Sequence, residues 1–267
     1  MLEWDGPSAV SLKLRLCSLA LLASCSTALA QDDAVVITAT RDPVKKSYKK
    51  MLDGAALFKE RKHLAPAAAL RFKLIPRKPD TRMEGTQLAV EAESVSIPLK
   101  VAPDQTFTID RNRTALKEDA KVMPNRKAGT MTWRADVRTP GLPPDTRRLG
   151  DLRLECEVGM KAGLISNYPA GFFGWLDSLI ASNESYCHRP VPRYLFFAER
   201  PIWSITLVDG ERREVLPVDL LYGGATRDRD WKKDKHCDCE ALFDHAYFGP
   251  LGDASWPDDT LVEIEYM

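Results

Sequence analysis

Residues 131–158 read MTWRADVRTPGLPPDTRRLGDLRLECEV, and the way this stretch folds decides how the rest of the chain packs. Met131, Trp133, Ala135 and Val137 alternate with polar residues, and so do Leu152, Leu154, Cys156 and Val158. A period of two marks a strand with one buried face, so the spacing predicts two strands. Between them lies the proline-rich TPGLPPDTRR at 139–148. It reads as a long loop or linker at which the body would divide, if it divides.

The same alternation recurs on both sides. Upstream it marks Leu70, Phe72 and Leu74, then Leu88, Val90 and Ala92, then Val95, Ile97, Leu99 and Val101, then Phe107 and Ile109. Downstream, strands are expected at Tyr194–Ala198 and Ile202–Val208. Asp209-Gly210 then makes a hairpin into Glu211–Leu216, because glycine takes the positive φ of such turns. Leu261–Tyr266 is the last strand. Short strands with turn signals between them predict a mainly β chain, a β-sandwich-like body with two or three helices. An α+β body in two parts is the alternative.

Two segments carry helical spacing. Asp42 and Pro43 suit an N-cap and a first helical position, and Val44, Tyr48, Met51, Leu52 and Ala55 form one stripe. A helix over 43–62 would place Lys45, Lys46, Lys49 and Lys50 on its other side. Such a run is first a solvated face; its sharper reading is contact with anionic lipid heads. Phe172, Trp175, Leu176, Leu179, Ile180 and Asn183 form the second stripe.

The amino-terminal region bears on compartment. Lys13 and Arg15 precede a small, apolar run from Leu16 to Ala30, and Ala28-Leu29-Ala30 before Gln31 suits signal-peptide cleavage. Such a run is too short to cross a membrane, which takes ~20 residues. Leu22-Ala23-Ser24-Cys25 fits a lipobox, in which Cys25 would be acylated and tether the chain. Export to the periplasm with cleavage after Ala30 is the leading expectation, and a lipoprotein anchored through Cys25 the alternative. The residues before Val10 do not suit a signal, which is consistent with a start near Val10 or Leu12. The expected organisation is 1–30 as signal peptide, 31–66 as a strand and amphipathic helix, and 67–267 as the β-rich domain.

Composition excludes one class. Lysine plus arginine and aspartate plus glutamate each number 38, so the formal net charge is zero, and with no long basic tract nucleic acid is not an expected partner. The strand candidates are also shorter and richer in proline than the ~10-residue strands of an outer-membrane barrel.

Beyond the signal stand Cys156, Cys187, Cys237 and Cys239. An even count in an oxidising compartment points to two disulfides. Cys237 and Cys239 would close a very tight ring with each other, so each is expected to reach back to Cys156 or Cys187. The competing reading is a zinc or copper site at His236, Cys237, Cys239 and His245, although the spacing is not that of a zinc finger. Asp228, Asp230 and Asp234 lack the turn glycine and following glutamate of a calcium loop.

Catalytic motifs do not stand out. The chain has no G-x-S-x-G, Walker loop, dinucleotide glycine pattern or H-E-x-x-H, nor the SxGC motif of L,D-transpeptidases. The four histidines are His63, His188, His236 and His245. Cys187-His188 is poorly placed as a thiol and its base, since neighbouring residues rarely point together.

VVITATR at 35–41 resembles the TonB box of TonB-dependent outer-membrane receptors. That likeness implies contact with TonB through Val35–Arg41 by strand addition; the plainer reading is an N-terminal strand. MTWRADVRTPGLPPDTRRLGDLRLEC and PRYLFFAERP are similar to segments of uncharacterised exported proteins of proteobacteria, which implies compartment and no activity.

The function expected is therefore that of a non-catalytic envelope protein, a disulfide-linked β-rich domain that binds a protein, glycan or lipid surface. No cofactor is expected. The alternatives are a metal-binding periplasmic protein using the cluster at 236–245, and an envelope hydrolase with carboxylate chemistry.

Overall fold

The structure is a computed structural model and describes residues 45–164, 186–188, 194–224 and 240–267. The chain enters at β1 (Lys46–Ser47) and turns at once into α1 (Tyr48–Glu60). β2 (Ala69–Pro76), β3 (Leu88–Glu91), β4 (Ser96–Leu99) and β5 (Thr106–Phe107) follow. Next come α2 (Arg113–Lys117), β6 (Lys121–Pro124), β7 (Met131–Arg138), β8 (Thr146–Arg148) and α3 (Leu149–Lys161). The last third holds β9 (Leu195–Phe197), β10 (Ile202–Asp209), β11 (Arg212–Val215), β12 (Ala246–Phe248) and β13 (Leu261–Tyr266).

Among the described residues the strands form antiparallel sheets in the orders β1-β6-β3-β4, β5-β2-β7, β11-β10-β13-β8 and β12-β9. With three α-helices beside them, this is the mainly β chain the alternation predicted. β2 and β7 pair along their full length, Ala69 opposite Arg138 through Pro76 opposite Met131. The predicted hairpin forms: Asp209 pairs with Arg212, and Gly210 takes φ 59° in the turn.

The stretch 149–161 overturns its reading. Leu152 to Val158 is not a strand but the middle of α3, and every residue from Leu149 to Gly159 is buried. A period-two pattern wound at 3.6 residues per turn places residues two apart about 200° from each other. Alternate apolar residues thus fall into two opposed stripes. Leu149, Leu152 and Cys156 enter one core, with Phe196, Ile205, Tyr247 and Val262. Leu154 and Val158 enter another, with Phe58, Leu64, Ala135 and Val137. α3 is the partition between two hydrophobic cores, which is why it has no solvent face to give a helical signature.

The intervening polar residues separate in the same way. Asp151 and Glu155 face the β7–β8 side: Asp151 accepts from Thr139 N–H at 2.8 Å and its hydroxyl at 2.7 Å, and Glu155 accepts from Val137 N–H at 3.1 Å. Arg153 and Glu157 face the other way, toward residues 251–258 and toward Arg61 with His188. Each of these four buried polar side chains of α3 has a partner, as burial demands.

The segment 139–148 is also more than a linker. Its end is β8, which pairs with β13 and runs directly into α3. The first α3 amides are held by backbone rather than by a side-chain cap: Leu149 N–H donates to Thr260 O and Gly150 N–H to Asp258 O, both at 2.9 Å.

The first helix starts later than expected. Ser47 caps it, accepting from Lys50 N–H, while Lys46 and Ser47 pair with Val122 and Lys121 of β6. Strand pairing thus claims residues that the helix over 43–62 would have used. Tyr48, Met51, Gly54 and Phe58 form the buried stripe. Gly54 lets α1 close on α3: a Cβ there would lie 2.9 Å from Ala162 Cβ. The helix expected around 172–183, the signal region, Cys25 and Val35–Arg41 lie outside the described residues.

Candidate functional site

Two places gather chemistry, one on each polar flank of α3. On the Arg153–Glu157 flank lies an open groove of about 420 Å3. Leu64, Leu251, Ala254 and Pro257 supply apolar wall, and Arg153, His188 and Asp258 supply polar groups. Arg153 is fully engaged. Its Nε donates to Leu251 O at 3.0 Å, Nη1 to Asp258 Oδ1 at 2.5 Å, and Nη2 to Asp253 O at 2.9 Å and Trp256 O at 3.0 Å. One guanidinium thus shapes the whole 251–258 loop.

His188 stands at the rim. Its Nε2 lies 3.0 Å from Glu157 Oε1, and Arg61 Nε lies 3.1 Å from Glu157 Oε2. An ionised carboxylate only accepts, so Nε2 carries the proton in this contact. Burial alone would raise the Glu157 carboxyl, but the hydrogen bonds and charges of His188 and Arg61 hold it below the usual carboxylate range. The face of Trp256 is covered by Arg212, whose Cζ sits 3.4 Å from the ring centroid.

His188 is placed there by the disulfide. Cys156 is bonded to Cys187, with Cα atoms 5.9 Å apart. This corrects the expected pairing of Cys156 and Cys187 with Cys237 and Cys239, because the two join each other. The geometry favours it: Cys156 occupies the α3 stripe that faces the core containing Tyr186 and Cys187. Cys237 and Cys239 lie outside the described residues.

On the Asp151–Glu155 flank lies a buried ionic cluster. Arg147 Nη2 reaches Glu155 Oε2 at 2.7 Å and Val137 O at 2.8 Å. Arg138 joins Asp136 at 2.8 Å and Glu199 at 3.0 Å, and Lys73 Nζ lies 2.7 Å from Glu199. The two carboxyls are driven apart. Burial pushes Glu155 above the usual range, with the Asp136 charge adding to it, whereas Arg138 and Arg147 overcome burial and hold Asp136 below it. Burial also pushes the Tyr247 phenol up to about 12.

The other expected site residues are scattered. Lys45, Lys49 and Lys50 are exposed, but Lys45 and Lys46 precede α1, so the four-lysine helical face does not form. Lys46 is half-buried, and burial with the charges of Arg134, Arg77 and Lys50 lowers its pKa. His245 Nδ1 lies 3.1 Å from Ala198 O; His236, Cys237 and Cys239, the rest of that proposed zinc or copper set, lie outside the described residues. Among the described residues no three His, Cys, Asp or Glu side chains are grouped to hold a metal, and no helix is long and apolar enough to cross a membrane.

Sequence reasoning missed Glu157, Arg153 and the whole cluster at Arg134, Asp136, Arg147 and Glu155. Their one signal was the charge alternating with apolar residues at 134–138 and 151–157, which reads equally well as a solvated strand face. Compared with known protein families, characterised proteins and solved structures, the chain matches none.

Proposed function

We propose that this is an exported, non-catalytic envelope protein that binds a peptide segment of another envelope protein in the groove beside α3. The observation that carries the reading is the state of the groove's polar groups. Arg153 is consumed in holding the loop, Asp258 answers it, and His188 is tied to Glu157. No serine, threonine or cysteine is among the described residues that line the groove, so His188 has no nucleophile there to activate. What remains is a fixed surface of apolar wall with a few oriented polar groups, the usual make-up of a recognition site.

A peptide suits it better than a sugar. Leu251, Ala254 and Pro257 offer apolar contact, while Arg212 occupies the Trp256 face on which a sugar ring would stack. Export is supported by the signal layout and by the Cys156–Cys187 bond, since disulfides persist in oxidising compartments. The hydrolase reading gains nothing from Asp136 and Glu155, because the space they line is about 20 Å3, too small for any substrate.

The test is a photo-crosslinking residue at exposed Ala254 in cells, with exposed Lys100 as control. A discrete protein adduct at 254 alone is expected. Absence of an adduct, or one removed by glycan digestion, would count against the proposal. Intact mass of the same material reports whether Cys25 is acylated.

A further inference from the structure

Charge does not balance around the small cavity on the Glu155 flank. About 20 Å3 of space is lined by Lys73, Arg134, Asp136, Arg138, Arg147 and Glu155, with Phe197 beside them. Glu155 answers Arg147, Asp136 answers Arg138, and Glu199 answers Lys73. Arg134 has no carboxylate in ion-pair contact, and the Glu155 charge acts on it only from farther off.

Arg134 is 3% exposed. Its Nη1 reaches the Leu164 carbonyl at 3.4 Å, its Nε and Nη2 make no hydrogen bond of normal geometry, and the nearby Tyr194 hydroxyl favours its charged form without pairing it. Its Cζ lies 4.8 Å from the Phe197 ring centroid and 5.4 Å from that of Tyr194. Lys73 is its direct neighbour across the β2–β7 ladder, a like-charge pair that adds to the imbalance. Burial lowers the pKa of Arg134. A buried cation left in this state is among the costliest features a fold can carry.

The shortage at the cavity wall is of acceptors: beside Arg134, Arg147 Nε also lacks a partner. A water would accept from these donors but would bring two protons of its own to place. A monatomic anion accepts only and cancels the surplus charge. Room for one water takes ~10–15 Å3, so the cavity holds one small guest and excludes sulfate or phosphate.

We propose that this cavity binds a single halide ion, chloride where chloride is abundant, against the Arg134 guanidinium. The test uses the mature full-length chain in two arms. Crystals grown in bromide are expected to show an anomalous peak in contact with Arg134. Thermal melts at constant ionic strength are expected to rise with chloride or bromide and not with gluconate or sulfate. A rise of ~3–5 °C per tenfold halide is expected once the site begins to saturate. Arg134→Met removes this halide response. A cavity holding only water, equal melting in chloride and gluconate, or a response that survives in R134M overturns the assignment. If R134M does not fold, the bromide map of the unaltered chain decides alone.

Discussion

His188 Nε2 and Glu157 Oε1 meet at 3.0 Å, each residue standing one position beyond a half of the Cys156–Cys187 disulfide. A covalent bond and a charge-assisted hydrogen bond therefore run side by side between α3 and the segment 186–188. The sulfurs bring the segment to the helix, and the carboxylate fixes the ring. Arg61 holds the other carboxylate oxygen from the end of α1, so three parts of the chain converge on Glu157.

Removal of the covalent link is the first prediction. The bridged positions are 31 residues apart, and on the chain-entropy account such a loop is worth about 3–4 kcal/mol. Cys156→Ala with Cys187→Ala is expected to lower the urea midpoint accordingly. The His188 ring resonances should then move toward free-histidine values. Unchanged midpoint and resonances would show that the segment is held without the sulfurs.

Acid should weaken the ionic half of the same joint. The Glu157 carboxyl titrates lower in the folded chain than in the unfolded one. Its contribution is therefore present above the ordinary value near 4.5 and is lost as pH falls through the lower, folded value. Glu155 has the opposite sign: its raised carboxyl opposes folding as pH rises through the ordinary range. Melting curves of the native chain and Glu157→Gln across pH 3 to 7 are expected to converge at the acid end. Parallel curves would contradict this sign.

The strands were legible in the sequence where one face is apolar and the other meets water or a single layer. β10 and β13 obey this, as does the face of β7 carrying Trp133 and Val137, whereas β11 is exposed along its length and was read from the Asp209-Gly210 turn before it. α3 was not, because a helix buried on all sides shows no amphipathic period, and two opposed apolar stripes project onto the chain as strand alternation. Of the candidate site, Cys156 and Cys187 were legible as disulfide residues through their even count and the export expected from the amino-terminal layout. Their pairing was not, since it depends on which stripe of α3 Cys156 occupies. His188 was visible only as a neighbour of Cys187; nothing local announces a partner at Glu157. The charged face of β7 was hidden for a related reason. Arg134 and Asp136 look like solvated residues until β9 and its Phe197 are laid over them.

Arg147 and Glu155 form a buried pair whose halves are worth more together than apart. Their closest atoms are 2.7 Å apart, and their side chains are 4% and 7% exposed. Removing one partner strands a charge, at ~3–5 kcal/mol, whereas replacing both with apolar residues is often far cheaper. Arg147→Met is thus expected to destabilise more than Arg147→Met with Glu155→Leu. A double variant that loses the sum of the two single losses would show that the pair is not coupled.

Gly159 gives the last prediction, because it tests whether α3 must lie as close to β9 as it does. A Cβ at this position would fall 2.3 Å from the Tyr194 hydroxyl oxygen and 3.1 Å from the ring carbon that bears it. Alanine is normally the better helix residue by ~1 kcal/mol. Here the contact forces either the Tyr194 ring or the helix to move, and overpacking of this kind costs ~1–3 kcal/mol. Gly159→Ala is accordingly expected to lower stability despite its propensity. Tyr194→Phe in the same chain removes the atom struck first and should return part of the loss. The readout is the urea midpoint of the single and double variants. A Gly159→Ala chain more stable than the parent would mean that α3 and Tyr194 are held farther apart than 2.3 Å allows.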